Sequence, residues 1–532
     1  MRRLALLLAV VLLLSGCAIL AEPEEPVPEE WEDYQQFLPE EPAEEPEEKG
    51  PEYPSAFTLP YHKDQTLDPV ECGEGVQETV ASLIYEPLFR LDEKFQPVPV
   101  LCESWEWDVA GLVCTLTLRA DAVFSDGSVL TARDVAETLQ RALESERYAY
   151  RLRNVKSIAA NRRGQVLITL NEPDQGLPAL LDISIVKWST AAQRVPVGTG
   201  PYTLFGENGE ERLELREDWW QGKKLPLHTI FLTAAKDWDT ARYLFDTHEA
   251  ELLVVDPTDD PSLVSGQDQI TAQPTAVMQF IGFNTAEDHL FADADLRAIF
   301  SQGIDRSTLV EGKLVNLALA AQFPISPLSP LYPAGLEKAY SEEGTISALR
   351  SAGQDTGTQK ELTLLVSGDD AFRASTARFI AEELSLLDWK ITVETLPWEE
   401  YLAALEAGEF DLYFGEVRLT ANWDLTDLIG TEGLLNYGAY TSEVTDVVLQ
   451  AFAAAEDRTD AASRLCSHFQ AAAPIAPICF KNYAVLTHPD VVEGMTPAPS
   501  DVFHEFGRWT VRLSEEEPEE PGEVDPDAEP EE

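Results

Sequence analysis

The chain has 532 residues, with 95 Asp and Glu against 38 Lys and Arg, and a net charge of −57 at neutral pH. Setting aside the acid-rich ends (14 acidic residues and Lys49 within 22–52, 11 acidic residues within 514–532) still leaves −33. The body therefore lacks the Lys/Arg surface that phosphate backbones need, which excludes nucleic acid as a partner. The stretch between those ends, about Ser55 to Leu513, is longer than one small domain needs and predicts two or three packed lobes.

Arg2 and Arg3 precede an unbroken apolar run from Leu4 to Leu14, shorter than the roughly 20 residues of a spanning helix. Charge, apolar segment and small residues in that order have the form of a signal peptide over 1–16. Leu14-Ser15-Gly16-Cys17 resembles the lipobox of bacterial lipoproteins, in which the Cys thiol receives a diacylglycerol and becomes the mature N-terminus. Cys17 is therefore expected to anchor an extracytoplasmic protein to the cell membrane, at the cell surface or in the periplasm. Residues 17–55 form the tether. Its Glu/Pro-rich part, Glu22 to Glu52, lacks apolar surface to bury and is expected to be extended and disordered; 514–532 has the same composition. No later charge-free stretch reaches transmembrane length.

In the body, Phe57 to Leu67 reads as a strand ending in the turn Asp68-Pro69, and Val76 to Phe89 has helical apolar spacing. Trp105–Val109 and Val113–Leu118 form a hairpin around Ala110-Gly111. Thr131 caps a helix through Leu143, with Asp134 at the capping-box position. Strands follow at Val166–Leu170, Tyr202–Phe205, Arg212–Arg216, Ile230–Thr233, Glu251–Val255 and Phe280–Asn284, with a helix at Thr240–Phe245. Asp295 to Ile304 is a helix that Arg306 to Lys313 continues. Leu362–Val366, Ala371–Leu387, Lys390–Thr395, Trp398–Ala407 and Asp411–Phe414 then alternate as β-α-β-α-β, the signature of an α/β lobe with a parallel sheet. Val444–Glu456 and Ala461–Ala473 are two more helices.

Residue patterns that carry chemistry are missing. The seven histidines (His62, His228, His248, His289, His468, His488, His504) make no ligand spacing, Gly73-Glu74-Gly75 does not extend to a dinucleotide fingerprint, and Gly312-Lys313 lacks the rest of a phosphate loop. No Gly-x-Ser-x-Gly elbow is present. These absences argue against an enzyme, a cofactor and a metal site. Cys72, Cys102, Cys114, Cys466 and Cys479 include no Cys-x-x-Cys, which removes zinc-site and thioredoxin-like readings. Core burial is their expected role, with Cys102–Cys114 and Cys466–Cys479 open as disulfides permitted by export.

Four motifs in one order resemble the bacterial extracellular solute-binding family that holds oligopeptide-, dipeptide- and nickel-complex-binding lipoproteins. They are Leu67-Asp68-Pro69 with Tyr85-Glu86-Pro87-Leu88; Leu118-Arg119 through Phe124-Ser125-Asp126-Gly127-Ser128 to Leu130-Thr131-Ala132-Arg133-Asp134-Val135; Val197-Gly198-Thr199-Gly200-Pro201-Tyr202; and Phe283-Asn284-Thr285 with Leu296-Arg297 to Ile304-Asp305-Arg306. Gly303 departs from the family's usual Ala. The motifs themselves read as scaffold, with Gly127, Gly198 and Gly200 as turn residues of special backbone angle.

The resemblance implies a two-lobed periplasmic-binding-protein-like fold of the large type II, α/β, whose lobes close on a hinge over a solute. It divides the chain into a first lobe over 56–283 with an extra subdomain at about 76–195, a second lobe over 284–475, and a return segment over 476–513. It further implies a monomeric receptor that delivers a peptide to ABC transporter permease subunits. A metal chelate, an oligosaccharide, or a sensing or adhesive role remains the alternative. Ligands of open α/β sheets sit beyond the carboxyl ends of strands. The segment after Asp411–Phe414 is therefore the expected site: Arg418, Asn422, Trp423, Asp424, Asp427, Asn436 and Tyr437. In peptide-binding relatives a Trp and an Asp of this stretch line the cleft and the Asp takes the α-ammonium, which implies Trp423 with Asp424 or Asp427; both acids could equally cap a helix. Arg418 could meet a ligand carboxylate. Cys72, Gly73 and Glu74, in the loop Glu71–Val76, are expected to face them and offer backbone groups to an extended ligand.

Overall fold

The computed structural model describes residues 53–206, 211–258, 266, 268–314, 317–353, 361–385, 387 and 389–514. Cys17, the signal peptide, the Glu/Pro stretch to Glu52 and the acidic tail from Glu515 lie outside them. No helix among the described residues is long and apolar enough to cross a membrane.

Two long strands carry the architecture. Gln269–Phe283 and Ile475–Thr487 run antiparallel over most of their length. They sit inside a sheet whose order is Leu252–Val255, Ile475–Thr487, Gln269–Phe283, Leu412–Arg418, Glu361–Ser367, Lys390–Leu396, with Ala318–Ala320 added on Ile475–Thr487. The last three strands of that order are mutually parallel, and helices Ala371–Ser385 and Trp398–Ala407 connect them as the sequence predicts. Side chains alternate across this sheet. Ile281, Phe283, Leu364, Leu412 and Phe414 enter one core; Met278, Phe280, Leu365 and Tyr413 enter the other.

The other lobe is built on a four-stranded sheet ordered Thr58–Tyr61, Thr229–Ala234, Arg212–Leu215, Tyr202–Phe205, onto which helix Val76–Ile84 packs Val80, Leu83 and Ile84. A separate antiparallel sheet, Cys102–Trp107, Val113–Leu118, Val166–Leu170 and Val155–Ala160, buries Leu116 and Ile168 against Val135 and Leu139 of helix Ala132–Glu144. The hairpin at Gly111 and the reciprocal Thr131/Asp134 capping box are both present.

Four expectations are corrected. The strand expected over Phe280–Asn284 begins at Gln269. Pro274 disguises it, yet Pro274 lies where the register slips before Met278, and a broken ladder needs no N–H there. The continuous helix expected over 295–313 is two helices: Gly303 ends Ala294–Gln302 and Asp305 caps Arg306–Lys313 through the Thr308 amide. All five described cysteines are buried and unbridged. Cys102 stands opposite Leu118 and Cys114 opposite Trp107, on different rungs, while Cys466 and Cys479 belong to different cores; burial pushes the last four thiols up to about 12. Gly127 does have a positive φ of 80°, but Gly198 and Gly200 do not need one. A Cβ on either would fall within 2.5 Å of the Ile84 backbone, so close chain approach is what demands glycine there.

Glu251 enters the strand Leu252–Val255 with its carboxylate on the Thr58 amide, 2.5 Å away, and is 2 % exposed. Burial pushes it up to about 7 from 4.5. A carboxyl raised on folding contributes fully below about pH 4.5 and that contribution is lost as pH rises through 7, at most about 3 kcal/mol. Glu251→Gln is expected to raise the melting temperature at pH 8 and leave it unchanged at pH 4.5. An equal shift at both values in scanning calorimetry would refute the assignment.

Candidate functional site

The strand Leu412–Arg418 ends at a cavity of about 500 Å³. The first turn of helix Val76–Ile84, the segment Arg147–Arg151, the long strands at Gln273, Thr275 and Tyr483, and Arg418–Ala421 enclose it, with Trp238 and Phe95 as aromatic walls. Its floor is thus the pair of strands that joins the lobes, and its walls come from both.

Nearly every charge in the cavity is answered from within. Arg147 pairs with Glu78 and donates to the Cys72 carbonyl at 3.1 Å. Arg151 pairs with Asp182, and its deep burial pulls the guanidinium down to about 10. Asp256 takes the ammonium of buried Lys481 at 2.7 Å. Lys481 also reaches Thr258 at 2.9 Å and Glu416 at 3.1 Å, and Glu416 holds Arg373 at 3.0 Å. Arg418 is the loosest member. Its guanidinium donates to the Tyr483 hydroxyl at 2.7 Å but stands 3.7 Å from Glu74, and both of those charged side chains are more than half exposed, at 54 and 63 %. An exposed pair at that distance contributes little, so a ligand carboxylate or ammonium can displace either partner cheaply.

Of the residues expected from sequence, Arg418 and Glu74 meet at this cavity. The others do not line it. Trp423 is 1 % exposed, held edge-on between Phe95 and Phe480. Asp424 is bound to Arg153 at 2.6 Å and accepts from the Thr426 amide at 2.9 Å. Asp427 accepts from the Tyr150 hydroxyl at 2.8 Å and lies 3.2 Å from Arg153. The carboxylates expected for a ligand ammonium are therefore occupied by the chain's own guanidinium. Asn422 donates to Asp174 at 2.8 Å, and Asn436 staples its loop through Gly430 and Tyr440. Tyr437 stands edge-on to Tyr413. Cys72 is core, its thiol pushed by burial to about 11, and Gly73 lies against Gln65.

Sequence reasoning missed Arg147, Arg151, Asp182, Lys481 and Tyr483. One signal was available: Lys481 is the sole charged residue of the otherwise uncharged strand Ile475–Thr487, and a buried ammonium requires a carboxylate nearby.

The family model described as bacterial extracellular solute-binding proteins, family 5 middle, matches residues 96–429. The glutathione-binding protein GsiB of Salmonella typhimurium is 25% identical over 391 residues, 69% of this chain and 76% of the relative; that of Escherichia coli K12 is 25% identical over 415 residues, 73% and 80%. Among solved structures, HbpA2 from Haemophilus parasuis superposes with a TM-score of 0.71 at 21% identity, covering 86% of this chain and 100% of that one. A nickel ABC transporter protein from Bacillus halodurans gives 0.69 at 19%, covering 84% and 98%. These likenesses establish the two-lobed fold.

Proposed function

Because this chain belongs to the bacterial extracellular solute-binding proteins, family 5, we propose that it is the substrate-binding component of an ABC importer. It takes a short peptide or peptide-like solute between its lobes and hands it to the permease as a lipid-anchored monomer. The observation that carries this reading is the cavity, walled by both lobes, in which Arg418 and Glu74 are an exposed, poorly engaged pair of opposite charge. Such a pair suits a zwitterion: Arg418 takes a carboxylate, Glu74 an ammonium. Similar proteins are named for glutathione, a murein tripeptide and oligopeptides, the last solved with a nonapeptide bound, all of that chemistry. The register break between Pro274 and Met278 supports a hinge inside the two long strands, between a first lobe of about 56–283 carrying the subdomain of about 76–195 and a second of about 284–475, with 476–513 returning to the first.

Titration calorimetry with glutathione and a set of tri- to pentapeptides tests the reading. Arg418→Ala removes a charged hydrogen-bond donor, worth about 1.5–3 kcal/mol, and is expected to weaken every solute that binds by roughly tenfold or more. Wild-type affinity in the variant would show that no carboxylate sits there. Anchoring through Cys17 is tested separately. Cys17→Ser is expected to move the protein from the detergent phase to the aqueous phase and to abolish lipid labelling; unchanged partition would refute it.

A further inference from the structure

Beside the cavity, residues 150–176 of the antiparallel subdomain lie against residues 422–458 of the facing lobe. Polar contacts from Tyr150, Arg153, Asp174 and Gln175 make this join. Arg153 reaches Asp424 at 2.6 Å and Asp427 at 3.2 Å. Asp174, 6 % exposed, accepts from Asn422 at 2.8 Å, and within the facing lobe Arg458 steadies Asn422 by donating to its carbonyl at 2.6 Å. The Gln175 amide donates to the Ala453 carbonyl at 2.9 Å.

Gly176 gives the join its meaning. Its φ of −82° and ψ of −3° suit any residue, so conformation does not explain a glycine. A Cβ there would stand 2.6 Å from the Asn422 Cβ and 2.4 Å from the Arg458 guanidinium. The Asn422 Cβ is fixed to its backbone and cannot swing aside as a long side chain can. The tightest of these contacts come from the facing lobe, with Asp174 Oδ1 of the same segment at 3.0 Å, so its close approach is what demands glycine.

We propose that Gly176 and Arg153 form a closure latch. Gly176 lets the subdomain seat against Asn422, Arg153 then locks onto Asp424 and Asp427, and the pair holds the lobes shut without touching solute. Both are positioning residues, and the idea rests on the solute-receptor reading above. Tyr150 couples latch to cavity, since it lines the cavity and donates to Asp427.

Hydrogen–deuterium exchange on the full chain as purified is the direct test. In the wild type the Gln175 amide is expected to be protected. In Gly176→Val its exchange accelerates at least tenfold, and in Arg153→Ala about threefold, while amides of the strands Val113–Leu118 and Val166–Leu170 are unchanged. Any glutathione or peptide that binds is expected to leave Gly176→Val at least tenfold faster, with its association rate within about twofold. Equal Gln175 exchange in wild type and Gly176→Val overturns the latch. So does acceleration that spreads through both strands, which marks a damaged subdomain instead. If neither glutathione nor any peptide binds the wild type, the solute reading fails, and the exchange result still decides the latch.

Discussion

Replacing Arg306 with methionine is expected to cost about 4 kcal/mol of stability and several degrees of melting temperature. The Arg306 guanidinium is buried, and its hydrogen bonds among the described residues go to carbonyls and a hydroxyl. Its Nε donates to the carbonyls of Ala321 at 3.0 Å and Pro477 at 2.7 Å, Nη1 to those of Ser301 at 2.8 Å and Ile304 at 3.3 Å, and Nη2 to the Ser301 hydroxyl at 2.9 Å. One side chain thus ties the helix Ala294–Gln302, the strand Ala318–Ala320 and the long strand Ile475–Thr487 together. Burial pulls its guanidinium down to about 10, and it stays charged at any physiological pH. A methionine fills the volume but leaves five acceptors facing it. Hydrogen bonds to charged groups contribute about 1.5–3 kcal/mol each, and stranded buried acceptors cost about 1–3, partly offset by the apolar side chain. Arg306→Lys is expected to recover less than half, because a point charge with three donors does not span acceptors on three elements. Urea unfolding monitored by circular dichroism gives both numbers; a loss below about 1 kcal/mol in the methionine variant would show that water replaces the fork.

This residue shows what the sequence could and could not convey. Leu296-Arg297 and Ile304-Asp305-Arg306 stood out as a motif, and scaffold was the role read for it. Arg297 likewise donates to four backbone carbonyls, of Phe291, Ala292, Ala472 and Ala473. Which carbonyls they serve was hidden, because Pro477 and Ala473 lie more than 170 positions away. The β-α-β-α-β run from 362 to 414 was legible because its period, caps and connection lengths are local. The strand Gln269–Phe283 was legible only at its end, since polar residues and Pro274 mask a pairing specified from 206 residues away in the chain. At the cavity, the strand-end rule found Arg418. It did not find that Arg153, one of 38 basic residues, occupies Asp424 and Asp427. Ion-pair partners follow from how the lobes meet, and no local pattern encodes that.

Lys481→Met is expected to lose about 3–5 kcal/mol, the usual cost of stranding a buried charge. The Lys481 side chain is 3 % exposed, with Asp256 at 2.7 Å, Thr258 at 2.9 Å and Glu416 at 3.1 Å. Asp256 follows the strand Leu252–Val255 and Glu416 belongs to Leu412–Arg418, on opposite sides of the two long strands in the sheet, so one ammonium joins them across the floor of the cavity. The two carboxylates are not equally exposed to its loss. Glu416 keeps Arg373 at 3.0 Å and Gln279 at 2.9 Å, whereas among the described residues Asp256 retains the amide and hydroxyl of Thr258, at 3.0 and 2.7 Å. Adding Asp256→Asn to Lys481→Met is therefore expected to restore more than half of the loss, and adding Glu416→Gln much less, because that change also weakens the hold on Arg373. Urea unfolding of the single and the two double variants separates these outcomes. Equal rescue by both would mean that the network shares the charge evenly. No rescue by either would mean that Lys481 acts through packing of its methylene chain, and the electrostatic account of the cavity floor would fall.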